Sequence, residues 1–275
     1  MKTLLILFLS ACMTAPQAAQ LTASDSEPAP TPPKFELFDR VVVIGASLSA
    51  GFGLERENKA EISLADIFDA TINAKHGRVS NQAQPTFAFD PEGYGQLIVD
   101  ATKALKPTLV IAIDFPFWFA YGNTPNERRL SRLKAGLKLM DGFDCPILIG
   151  DFPNLAHAVG GGVLSKSQVP GEAQLLELNR AVDDWIAKGP NRHLIKLSEL
   201  ATAVQESKDL PYGTGWKRAR LNELTQADKL HPTLLGTSMI AVMSAELLLK
   251  EFEELPTNTF DLNVESIAKR VQSAN

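Results

Sequence analysis

A serine at a strand-to-helix junction and an aspartate–histidine pair near the far end of the chain are the residues best suited to chemistry. Arg40-Val41-Val42-Val43-Ile44-Gly45-Ala46-Ser47-Leu48-Ser49 reads as a strand of branched residues running into a turn. Gly45 lets the chain turn tightly, and Gly51 and Gly53 keep the next segment small. A serine hydroxyl is a poor nucleophile near neutral pH until a base takes its proton. Asp228-Lys229-Leu230-His231-Pro232 supplies an acid and a base three residues apart, a spacing that can present both side chains to one side. Asp228 would hold one ring N–H of His231, and the other ring nitrogen would face Ser47 as general base. Backbone N–H groups at the serine turn would receive a developing negative charge. Singly, these residues have plainer readings: a turn serine, a helix-capping aspartate, a surface histidine. Jointly they point to nucleophilic catalysis.

The elements that must position them alternate between strands and helices. Arg40–Gly45, Lys106–Ile113, Pro146–Gly150 and His193–Leu197 are apolar strand runs. Lys59–Ala74, Gly95–Leu105, Glu172–Ala187 and Thr233–Phe252 read as helices, the last apolar almost all round and so buried. Continuous apolar strands alternating with helices indicate an α/β fold whose mostly parallel sheet is covered on both faces. Ligands of such sheets bind beyond the carboxyl ends of the strands. Asp151-Phe152-Pro153-Asn154 and the Phe115–Phe119 aromatic run should therefore border the same crevice as Ser47. The aromatic run has two readings, core filling beneath a loop or an apolar wall for a substrate. Asp114 likewise reads as a buried structural acid or a substrate contact. Gly160-Gly161-Gly162 reads as a mobile loop. No Gly-Lys-Ser/Thr follows it, so it is not a phosphate cradle. His76 and His193 read as surface or loop histidines; His157 has a claim to the cleft.

Composition narrows the function. The chain has 275 residues, is 45% hydrophobic and carries a formal charge of −5, without the basic footprint of a nucleic-acid binder. Glu127-Arg128-Arg129 is too short for a polybasic patch and reads as solvated surface charge. No His/Cys cluster has metal-ligand spacing, so no metal is expected.

The N-terminus reads as a secretory signal: Met1-Lys2-Thr3, then the apolar run Leu4 to Leu9. Leu9-Ser10-Ala11-Cys12 resembles the lipobox of bacterial lipoproteins, which implies cleavage before Cys12 and lipid on its thiol. The alternative is ordinary cleavage near Ala18 or Ala19. Met13, rather than Asp, implies an outer-membrane lipoprotein facing the periplasm, and the alternative cleavage a soluble periplasmic protein. Residues 13–34 are rich in Ala, Pro, Ser and Thr and read as a flexible tether. The folded domain is expected over 35–255, with 256–275 as a C-terminal extension carrying one weak amphipathic stretch, Val264 to Val271. With Cys12 lipidated or removed, Cys145 has no partner and reads as a buried structural thiol.

Gly45-Ala46-Ser47-Leu48-Ser49 resembles the first block of the SGNH/GDSL hydrolases, with Ala46 in place of the usual Asp. Asp228-Lys229-Leu230-His231-Pro232, followed by Gly236 and an apolar helix, is similar to their last block. The resemblance covers residues 38–252 in element order. It implies a three-layer α/β/α fold with a flavodoxin-like sheet, no metal or organic cofactor, and hydrolysis of esters or thioesters through an acyl-serine on a Ser47–His231–Asp228 triad. The middle blocks depart from the family. Ser80-Asn81-Gln82-Ala83 would supply the oxyanion N–H, with Ala83 where the family has glycine. The family's asparagine after the third strand is missing, and Asn123 is the nearest substitute. The resemblance implies a small-molecule or envelope ester as partner, with membrane attachment by N-terminal lipid only. A binding or scaffold lipoprotein without catalysis, and sugar O-deacetylation, stand as alternatives.

Overall fold

The computed structural model describes residues 35–214 and 220–274, with the Glu57 side chain left aside. The apolar leader, Cys12 and the tether lie outside these residues. Among the described residues no helix is long and apolar enough to cross a membrane.

Five strands form one parallel sheet: β1 (Val41–Val43), β2 (Ser80–Asn81), β3 (Leu109–Ala112), β4 (Ile147–Gly150) and β5 (Arg192–Ile195), in the order β2-β1-β3-β4-β5. The register sets Val42 opposite Ser80 and Val110, and Ile149 opposite Leu194. Alternate residues face opposite layers, as strand geometry requires. Val41, Val43, Ile111 and Leu148 join one buried cluster, whereas Val42, Ile44, Val110, Ile147 and Ile149 join the other.

Eleven α-helices lie among the described residues. They are α1 (Ser47–Ala50), α2 (Leu54–Asn58), α3 (Leu64–Thr71), α4 (Pro91–Ala104), α5 (Phe117–Ala120), α6 (Asn126–Met140), α7 (Glu172–Ile186), α8 (Leu197–Gln205), α9 (Leu221–Leu224), α10 (Leu234–Glu251) and α11 (Val264–Ala274). On one face of the sheet α10 packs against both α3 and α11, which is why it is apolar nearly all round. The other face is covered by α4, α6 and α7. The result is the expected three-layer α/β/α architecture.

Several boundaries differ from expectation. α3 begins at Leu64 because Ser63 and Asp66 form a reciprocal capping box. α4 begins four residues before the expected Gly95, at Pro91, where Asp90 accepts the Gly93 N–H. The long helix α6 was not legible as one, because its charged face dilutes the stripe Leu133, Gly136, Leu137 and Met140. Residues beyond 255 are no peripheral extension: Val264, Ile267 and Val271 of α11 are buried in the same cluster as α3 and α10. Arg129 is not surface charge. It is fully buried and donates to the carbonyls of Ala120 (2.6 Å), Gly122 (3.2 Å) and Ser167 (2.9 Å). Cys145 is buried, and desolvation pushes its thiol up to about 11.

Candidate active site

In the order β2-β1-β3-β4-β5 the chain reverses between β1 and β3, the switch point where such sheets open a crevice. Ser47 follows β1 and Asp114 follows β3, so the two meet there. The Asp114 carboxylate accepts the N–H groups of Ala46 (3.0 Å), Leu48 (2.9 Å) and Ser49 (3.3 Å), and the Ser49 hydroxyl (2.6 Å). It fastens the serine turn from both sides of Ser47. Gly45 is required at this approach: at φ +146°, a Cβ there would lie 2.1 Å from the Asp114 carboxylate. Burial raises the Asp114 carboxyl above its ordinary 3.8, against the pull of these hydrogen bonds. Asp114 is therefore a structural acid rather than an oxyanion or substrate ligand, because both its oxygens are engaged by the turn.

His231 arrives from the other end of the chain. Its Nε2 lies 2.9 Å from the Ser47 hydroxyl, and its Nδ1 lies 2.6 Å from Asp228 Oδ2. The second Asp228 oxygen accepts the N–H groups of Leu230 and His231, each at 2.9 Å, closing a tight loop with Lys229 in the left-handed region at φ +59°. Burial pushes the Asp228 carboxyl up, but the hydrogen bonds from the His231 side chain, His231 N–H and Leu230 N–H outweigh it and hold the carboxyl below 3.8. Pro232 does not begin the following helix: Thr233 caps α10 by accepting the Gly236 N–H.

Three positioning contacts were not singled out from sequence. Gln226 Nε2 donates to the carbonyls of Phe52 and Pro232, both at 2.8 Å, linking the histidine loop to the segment after Ser47. The Phe52 ring lies 4.6 Å from the His231 ring. Gly161 lies against the aspartate loop, where a Cβ would come 2.1 Å from the Asp228 carbonyl oxygen. Gly161 thus has a packing role, of which sequence periodicity carries no trace, whereas a Cβ on its neighbours Gly160 and Gly162 would meet nothing, and both sit at positive φ.

The oxyanion side departs from expectation. Asn81 folds back so that its Oδ1 accepts the Ala83 N–H at 2.9 Å, an Asx-type turn. Neither residue lines the cavities at Ser47, so both leave the expected oxyanion set. The Ser47 N–H, by contrast, donates to no acceptor among the described residues. The aromatic run divides residue by residue. Phe115 and Phe119 are fully buried against Phe87, so Phe115 is core rather than substrate wall. Phe117 and Trp118 line the cavity at Ser47.

Ser47 and His231 border two spaces. One is an open cleft of about 400 Å³ whose walls include Phe52, Asn123, Thr124, Arg132 and Gln168. Asn123 thus reaches the cleft. The other is an apolar cavity of about 80 Å³ whose walls include Leu48, Phe117, Phe152, Leu197 and Leu230. Asp151 and Pro153 border it as expected, but Asn154 does not; its Oδ1 accepts the Ala156 N–H instead. His157 bonds to Gln205 at 3.1 Å and lies apart from both spaces. His76 pairs with Asp69 and His193 with Glu251. Among the described residues no group of three or more His, Cys, Asp and Glu could hold a metal ion.

No protein-family model matches the sequence, and no curated protein matches it. Solved structures do. The psychrotrophic esterase EstA from Pseudoalteromonas sp. is 14% identical with a TM-score of 0.51, over 78% of this chain and 100% of that one. BT4096, a gut microbial diltiazem-metabolizing enzyme, is 14% identical with a TM-score of 0.51, over 82% of this chain and 49% of that one. Likeness at such identities speaks to architecture alone, and with the sheet order and layers above it gives the chain a flavodoxin-like three-layer α/β/α fold.

Proposed function

We propose that the protein is a serine hydrolase of carboxylic esters or thioesters. The observation that carries this reading is the continuous relay from Ser47 through His231 to Asp228, at 2.9 and 2.6 Å. Ser47 Oγ attacks the acyl carbon while His231 Nε2 takes its proton. Asp228 holds the ring and stabilises the imidazolium. The tetrahedral intermediate collapses, the bond to the alcohol or thiol breaks, and His231 returns the proton to that leaving group. Water then attacks the acyl-serine with His231 again as base, releasing the acid and restoring Ser47. The Ser47 N–H is available to the oxyanion. Neither Ala83 nor Asn81 reaches the cavities at Ser47, and a single missing donor costs about 3 kcal/mol of transition-state stabilisation, so a modest turnover is expected. EstA, described as an esterase, shares the fold and adds support.

A fluorophosphonate probe tests the reading. Covalent labelling that disappears in Ser47→Ala supports it; a folded wild-type protein that takes no label supports a binding or scaffold role instead. We also propose that Cys12 is lipidated and anchors the domain to the outer membrane. This is checked by metabolic labelling with palmitate, which Cys12→Ala should abolish.

A further inference from the structure

The apolar cavity at Ser47 has a neighbour. A second apolar groove, of about 110 Å³, shares Leu48, Pro153, Leu155, Leu197 and Leu230 with it and extends to Ala201 and Val204 of α8. Leu48, Leu197 and Leu230 are only half-buried, so the walls common to both spaces keep apolar surface in contact with water. The two carboxylates on the cavity wall have both oxygens engaged by backbone and hydroxyl donors. Asp114 receives the serine turn, and Asp151 receives the Ser198 N–H (2.7 Å) and hydroxyl (2.5 Å). The open cleft bordering Ser47 is more mixed, with Asn123, Thr124, Arg132 and Gln168 on its walls beside Phe52 and Phe89.

We propose, on the esterase reading above, that the cavity and groove together bind the acyl chain of a medium-chain ester, while the open cleft takes the alcohol. Cavity and groove share five wall residues and together carry apolar surface from Ser47 to Val204 of α8, more than an acetyl group covers. Octanoyl serves as the medium-chain probe of that surface. Acetyl leaves the three leucines wet. Palmitoyl runs out past Val204 into solvent.

Each methylene drawn from water into this surface should raise kcat/KM about fourfold, less where the groove is open. The p-nitrophenyl series from acetate to palmitate should therefore climb to hexanoate or octanoate and then level or fall, with octanoate roughly tenfold or more above butyrate. Ala201→Phe fills the groove from half-exposed α8 and should lower the octanoate-to-butyrate ratio; its melting curve reports whether it folds. Binding is read without turnover by titrating octanoate and butyrate into Ser47→Ala in a calorimeter, where octanoate should bind more tightly. A flat or acetate-led series in an active enzyme overturns the acyl-chain assignment and leaves the esterase standing. Equal affinity of Ser47→Ala for octanoate and butyrate overturns it whether or not the wild type is active. Absent hydrolysis together with tight octanoate binding overturns the esterase reading and keeps the chain site.

Discussion

Asp114→Asn should loosen the nucleophile without touching it. The wild-type carboxylate divides its acceptors evenly: Oδ1 takes the Ala46 N–H and the Ser49 hydroxyl, and Oδ2 takes the Leu48 and Ser49 N–H groups. An amide retains one acceptor oxygen and puts an NH2 donor in place of the other. With the amide oxygen at the Oδ1 position, the Leu48 and Ser49 N–H groups lose their acceptor and face a donor. A buried donor left unpaired costs about 1–3 kcal/mol, and removing a carboxylate whose charge burial already disfavours returns part of that. The net loss should be about 2–3 kcal/mol, or about 5–10 °C in Tm for a domain of this size. Ser47 lies between two tethered neighbours, and a displacement of ~1 Å can cost about a hundredfold in rate. Fluorophosphonate labelling and p-nitrophenyl butyrate turnover should fall together. The pH dependence has a definite sign. A carboxyl raised by folding binds its proton more tightly in the native state, so its contribution to stability is complete below 3.8 and declines as pH rises through the raised folded value. The gap in Tm between wild type and Asp114→Asn should therefore narrow from pH 4 to pH 8. A variant that melts with the wild type and labels at the same rate would show that the turn does not depend on this carboxylate.

Other perturbations separate positioning from chemistry. Asp228→Asn keeps the shape of the loop but withdraws the charge that holds His231, and should lower kcat by roughly 10³–10⁴ with little change in KM. Because the Asp228 carboxyl is lowered in the fold, its stabilising effect is complete above 3.8 and fades as pH falls through its folded value; acid melts of wild type and variant should converge there. Gly161→Ala places a methyl group against the Asp228 carbonyl, 2.1 Å away before adjustment, and should reduce kcat more than it reduces Tm. Arg129→Met leaves the Ala120, Gly122 and Ser167 carbonyls without their buried donor, for a loss of about 3–5 kcal/mol in a urea melt. Asn81→Ala should leave kcat unchanged, because Asn81 does not line the cavities at Ser47.

Four of the five strands were legible because they are short, largely apolar and bracketed by turn residues; β2 was not, because its two residues, Ser80 and Asn81, are polar. Ser47 and the Asp228–His231 pair were legible because each lies in a local segment whose composition limits what it can do. The remaining site residues were hidden for different reasons. Asn81 and Ala83 sit at the right place along the chain, but a two-residue side-chain turn decides where their polar groups point, and sequence order does not record that. Phe115 and Phe117 are chemically alike, and only the path of the chain into α5 (Phe117–Ala120) sends one into the core and the other to the cavity wall. Gln226 and Gly161 act through carbonyl groups of residues distant along the chain, contacts that leave no mark in composition. Arg129 shows the converse: a residue whose type says surface is fully buried because three carbonyls in two separate segments need its donors.

The cavity at Ser47 is apolar although two aspartates, Asp114 and Asp151, border it. Asp228 answers to His231, Asp114 to the serine turn, and Asp151 to the first turn of α8. Asp114 accepts four hydrogen bonds, and Asp151 accepts one on each oxygen, from donors of the protein itself. On the proposed mechanism, an apolar wall lowers the local dielectric once substrate covers it, which strengthens the attraction between the developing imidazolium and Asp228 and between the oxyanion and the Ser47 N–H. The same low dielectric would penalise any acid whose partners were removed. Ser198→Ala, which takes away the hydroxyl that Asp151 accepts at 2.5 Å, should therefore admit water to the acyl cavity. It should weaken octanoate binding to the Ser47→Ala background more than butyrate binding, since the longer chain depends on more of the apolar wall. If both ligands weaken alike, the cavity owes its apolar character to the leucines alone and the buried acids are bystanders.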